Sequence, residues 1–154
     1  MNPANKKGFT LIELLVVIVI IATLAVVVFV ALDPVRRFAE ARNSRRWTDV
    51  NSVLTAVHEY VVDNKGALPT SLTADGKTYQ IGTCAVGGNT LCTAAEAACA
   101  NVATDLTAYL KSTPIDPQNG TLATTGYSVA VATNNMVTVA ACGAEQLETV
   151  EVSR

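Results

Sequence analysis

The sequence predicts an α+β protein: one long N-terminal α-helix, its first half spanning a membrane, packed by its second half on a small antiparallel β-sheet head. Three observations predict it. From Leu14 to Leu32 the only polar side chain is Thr23. No glycine interrupts the chain between Phe9 and Lys65, and apolar residues recur at helical spacing in the second half of that stretch. Near the C-terminus, two Val-rich alternating segments flank Asn134-Asn135, a hairpin signal.

The apolar run is long enough to cross a bilayer, which takes about 20 residues at ~1.5 Å rise each. Its many Val and Ile residues favour strands in water, but in lipid a lone segment satisfies its backbone only as a helix. Lys6 and Lys7 precede it and place the N-terminus on the cytoplasmic side. A cleaved secretory signal fits poorly, because the apolar core is long and no Ala-x-Ala-like site precedes Asp33. A plain single-pass anchor accounts for the helix. It does not account for Glu13, a carboxylate that costs roughly 2.5–3.5 kcal/mol at mid-bilayer on insertion scales, or for Gly8 between Lys7 and Phe9.

Asp33-Pro34 marks the membrane edge, where proline suits a kink or the first turn of a renewed helix. Arg36, Arg37, Glu40, Arg42, Arg45 and Arg46 make the following stretch charged nearly all round. Trp47, Val50, Val53, Leu54, Val57 and Val61 then form one apolar face, and Asp63-Asn64-Lys65-Gly66 closes the helix with a glycine cap. The arginines, with Trp47 for stacking, admit a nucleic-acid reading. The favoured reading is a solvated or subunit-facing surface whose arginines pair with acids such as Glu40, Asp49 or neighbours' carboxylates.

Beyond Gly66 the sequence predicts loops, with a short strand at Thr78–Ile81. Thr93-Ala94-Ala95-Glu96 has capping-box spacing and opens an Ala-rich stretch, after which Val102, Leu106, Tyr109 and Leu110 form a helical stripe facing the core. The hairpin follows at Tyr127 to Thr133 and Met136 to Ala141, and Val150 and Val152 suggest a third short strand. Cys84, Cys92, Cys99 and Cys142 all fall on the outer side, so two disulfides are expected. Of the three connectivities, Cys84–Cys92 with Cys99–Cys142 is preferred. Without a Cys-x-x-Cys spacing, neither zinc nor thioredoxin-like chemistry is indicated.

Lys6-Lys7-Gly8-Phe9-Thr10-Leu11-Ile12-Glu13-Leu14 closely resembles the type IV prepilin processing site, shared by type IV pilins and by the pseudopilins of type II secretion and DNA-uptake machines. The resemblance implies a leader over residues 1–8, cleavage after Gly8 by a prepilin peptidase, and N-methylation of Phe9. An assembly helix would cover residues 9–32, the outer half-helix residues 33–65 and the head residues 66–154. Glu13 occupies the family's acidic position, where pairing with the new Phe9 amine is thought to set axial register. An amine and a carboxylate ~4 Å apart attract by about 4 kcal/mol at an effective dielectric near 20, before desolvation. On this reading the precursor lacks Glu13's partner until the chain is cut. The implied partners are copies of the chain in a helical filament, an assembly ATPase, a membrane platform protein, and lipid before assembly. Pro114-Ile115-Asp116-Pro117, with Gly126-Tyr127, also resembles a segment of major secretion pseudopilins, in which a nearby loop can bind calcium. Gln118-Asn119 stands where that family has Trp-Gly, and a rigid turn is the better reading.

Catalysis has little support. With 154 residues and a net charge of −2, lowered to −4 by loss of Lys6 and Lys7, the chain holds one modest domain and offers no global attraction to nucleic acid. His58 is the only histidine, which excludes a His-Glu-x-x-His zinc site and a serine–histidine triad. No glycine-rich phosphate loop occurs, and no cofactor or metal is called for. Asn119-Gly120-Thr121 is a glycosylation sequon of a kind that arises often by chance.

Overall fold

The computed structural model describes residues 8–154. Lys6, Lys7 and the rest of the expected leader before Gly8 lie outside the described residues. Two compact units are present, one ending at Phe38 and the other running from Ala39 to Arg154.

In the first unit, α1 spans Leu11–Leu32 and buries none of its residues. It is the one helix among the described residues that is apolar and long enough to cross a membrane. It ends at Asp33, which adopts left-handed backbone angles (φ 37°, ψ 72°). Helix resumes at once as α2, Pro34–Asp63. Pro34 thus opens a renewed helix, where its missing N–H costs nothing. The Asp33 carboxylate accepts the Arg36 N–H at 3.4 Å, capping that first turn.

In the second unit, α2 buries Ala39, Asn43, Arg46, Val50, Val53, Leu54, Ala56 and Val57, a face recurring every three to four residues. The Gly66 N–H reaches the Val61 carbonyl at 2.8 Å and the Lys65 N–H reaches that of Val62 at 3.3 Å. These two bonds form a Schellman ending in which Lys65 (φ 58°), not the expected glycine, takes the first left-handed position, followed by Gly66 (φ 92°).

Five strands form one sheet: β1 Thr78–Ile81, β2 Cys99–Ala100, β3 Tyr127–Val131, β4 Val137–Ala141 and β5 Glu151–Ser153, in the order β2-β1-β3-β4-β5. All pairings are antiparallel except β1–β2. The β3–β4 hairpin pairs Val129 with Val139 and Val131 with Val137, and Asn135 supplies the positive φ of 64° its turn requires. Val50, Val53, Leu54 and Val57 of α2 share one core with Tyr127, Val129, Val131, Val137 and Val139 of the sheet.

Two expectations change here. The Ala-rich stretch after Thr93 contributes strand β2, because Cys99 and Ala100 pair beside Gln80 and Ile81. The Val102–Leu110 stripe faces the core as expected, but as successive turns with isolated i to i−4 bonds (Leu106 N–H to the Val102 carbonyl, Leu110 N–H to that of Leu106) rather than as a helix. Val102 and Leu106 are fully buried, so tertiary packing holds the apolar spacing without a continuous helix.

Candidate functional site

At the N-terminal end, Gly8, Phe9 and Thr10 are all exposed. A Cβ built on Gly8 meets nothing within 4 Å among the described residues. Thr10 caps α1 by a reciprocal capping box. Glu13 Oε2 accepts the Thr10 N–H and the Thr10 hydroxyl, each at 2.8 Å, and the Glu13 N–H donates to Thr10 Oγ1 at 3.3 Å. Glu13 thus closes the cap of α1, a role beside the charge pairing expected of it. Thr-x-x-Glu at the mouth of an apolar run is the capping signature that reveals this pair in sequence. The carboxylate's other oxygen, Oε1, takes no part in the box.

Two of the five clustered arginines serve inside the second unit. Arg46 is completely buried, and its guanidinium grips Asp116 by two bonds, Nε to Oδ2 at 2.6 Å and Nη2 to Oδ1 at 3.1 Å. Its Nη1 donates to Glu145 Oε2 at 2.9 Å and to Asn43 Oδ1 at 2.8 Å. Arg42 binds Glu145 by a parallel pair of bonds, both 2.6 Å. Asn43 exchanges bonds with the backbone of Glu145, its Nδ2 donating to the carbonyl at 2.9 Å and its Oδ1 accepting the N–H at 3.1 Å. Glu148 accepts from Asn43 Nδ2 at 2.6 Å and Trp47 Nε1 at 2.7 Å. Residues 42, 43, 46 and 47 thereby form a polar helix face that clasps the loop after β4. Arg45 lies 3.7 Å from Asp49, one helical turn on, while Arg36 and Arg37 are exposed in the first unit.

The electrostatics follow from these bonds. Paired with Arg42 and Arg46, Glu145 has its pKa lowered to about 2. Asp116 is also held below the ordinary carboxylate range: burial opposes this, but Arg46 and the N–H groups of Gln118 and Asn119 outweigh it. Tyr127 is pushed far above the ordinary phenol range, first by burial and then by its 2.7 Å bond to Asp49.

Asp116 is therefore the centre of the rigid turn expected at Pro114–Pro117, with both oxygens engaged. A Cβ on Gly126 would meet the Asp116 Cβ at 2.7 Å, and Gly126 has φ 82°, so only glycine fits beside it. No group of three or more His, Cys, Asp or Glu able to hold a metal occurs among the described residues. His58 lines an open groove of about 480 Å³ with Thr55, Glu59, Asp63, Tyr109 and Arg154.

The disulfides differ from the preferred pairing: Cys84 joins Cys99, and Cys92 joins Cys142. The parallel β1–β2 pairing sets Cys99 opposite Gln80, within reach of Cys84. Gln80 Oε1 meanwhile accepts the Cys92 N–H at 2.9 Å, and the Cys142 N–H donates to Gly126 at 2.9 Å, next to β3. Strand β2, unseen in the sequence, decides the connectivity.

No curated protein and no solved structure matches the chain. One family model, described as the prokaryotic N-terminal methylation motif, matches residues 3–29. That stretch takes in Gly8, Phe9, the Thr10–Glu13 box and most of α1. The chain therefore carries the prepilin signal of the type IV pilins and pseudopilins.

Proposed function

We propose that the chain is a structural subunit of a type IV pilus or related filament. It is inserted in the membrane through α1, cleaved after Gly8, N-methylated at Phe9, and assembled through its apolar helix with Glu13 setting register. The match of residues 3–29 to the methylation motif carries this reading. The exposed surface of α1 is the second support, since such a helix needs lipid or other helices around it.

Cleavage would place a cationic amine on Phe9, the residue before the Thr10 cap and four positions before Glu13. With Oε2 held by Thr10, Oε1 is the oxygen left to meet that amine, from the same chain or from a neighbour already in the filament. The DNA-uptake reading loses support, because Arg42 and Arg46 are committed to Glu145 and Asp116. Mass analysis of the N-terminus of this polypeptide, with electron microscopy of material sheared from cells, tests the proposal. Filaments whose subunits begin at methylated Phe9 are expected. Membrane protein that retains Met1–Gly8, with no filaments, would overturn it.

A further inference from the structure

Between the apolar span and the head's core lies a short segment that neither explains. Ala39, buried to 6% exposure, is the first core residue of the second unit. Leu32 ends α1. Between them Val35 and Phe38 are 75% and 65% exposed, three residues apart on α2, and they bracket the exposed Arg36 and Arg37. Apolar side chains on one helical turn beside two guanidinium groups form the mixed surface that suits a bilayer's interface.

We propose that Val35, Arg36, Arg37 and Phe38 form a collar that binds phosphate headgroups of the leaflet in which α1 ends, while the subunit is stored in the membrane. The inference rests on the reading of α1 as a spanning helix. Its 22 residues rise ~33 Å at ~1.5 Å each, against ~30 Å of hydrocarbon, so the membrane boundary falls close to Leu32. The next turn then occupies the headgroup layer. Val35 and Phe38 are exposed like Phe29, Val30 and Leu32 before the Asp33 break, and so carry apolar side chains on from the span to the acyl boundary. Arg36 and Arg37 meet phosphates, whose planar pairs of oxygens match the guanidinium fork. Each guanidinium has five N–H donors, so a contact within the chain leaves donors for a lipid. Entry into a filament breaks these contacts, and the collar thus fixes the depth at which a stored subunit waits.

Full-length chain with 13C-labelled arginine guanidinium carbons, reconstituted in phosphatidylethanolamine–phosphatidylglycerol bilayers, tests this by solid-state NMR dephasing from lipid 31P. Alkaline carbonate extraction of the same samples reports insertion separately. The expected result is a dephased arginine signal that disappears in Arg36→Gln/Arg37→Gln and persists in Arg45→Gln, with all three proteins resisting extraction. Inserted protein with no dephasing, or dephasing unchanged in the double variant, would overturn the collar and leave the spanning helix intact. Protein released by carbonate would instead overturn the spanning helix, and the collar with it.

Discussion

Arg46 and Asp116 form a buried two-point ion pair linking positions seventy residues apart, with Nε–Oδ2 at 2.6 Å and Nη2–Oδ1 at 3.1 Å. Neither side chain has more than 3% of its surface exposed. The pair ties α2 to the Pro114–Pro117 turn, and Glu145 joins it from the loop after β4.

Breaking that pair from one side leaves a buried charge uncompensated, at a cost of about 3–5 kcal/mol. Asp116→Asn and Arg46→Met are each expected to lower denaturant stability of the full chain in detergent by that order. Arg46→Met combined with Asp116→Leu should lose less than the sum of the two. Strict additivity in this double-mutant cycle would show that the two side chains act independently.

Acid should loosen the same clasp. Glu145 is lowered to about 2 in the folded chain from an ordinary value of 4.5, and Asp116 is lowered as well. A depressed carboxylate stabilises the fold above its unfolded pKa and loses that contribution as pH falls through the folded one. Stability should hold steady above about pH 5 and decline between about 4.5 and 2. Glu145→Gln should flatten part of that decline, and a pH series of thermal melts measures it.

The two disulfides should differ in weight. Cys92–Cys142 closes a separation of 50 residues and Cys84–Cys99 one of 15. Loop-closure entropy assigns them about 4 and about 3 kcal/mol. Paired Cys→Ser variants are expected to rank in that order by chemical denaturation. Peptide mapping without reduction should recover Cys84 with Cys99 and Cys92 with Cys142.

Glu13 caps α1, and on the proposed assembly role it also serves as a charge; substitution separates the two. Glu13→Gln keeps an oxygen for the Thr10 N–H but removes the charge, so incorporation into filaments should fall as steeply as in Glu13→Leu. Thr10→Ala removes the cap, worth typically ~1 kcal/mol, and should reduce incorporation less. Filament yield from sheared cells reads all three. Normal yield for Glu13→Gln would assign Glu13 to capping alone.

By itself, the sequence determined what short-range chemistry can write. The length of the apolar run, Pro34 opening a helix, the α2 face from Val50 to Val57 and the Asn134-Asn135 hairpin all depend on residues a few positions apart, and so were legible. The processing motif was legible for the same reason, since Lys6 to Leu14 is contiguous. Thr10 with Glu13 was equally local and was missed only because Glu13 was read as a charge awaiting a partner rather than as a cap. Tertiary structure decided what distant segments do together: two-residue β2, the turns that carry Val102 and Leu106, the cysteine pairing, and the acids that claim Arg42 and Arg46. Those acids lie seventy to more than a hundred residues from their arginines. No local propensity ranks such pairings, because each becomes favourable only after the core of α2 and the sheet has brought both partners out of water and into contact.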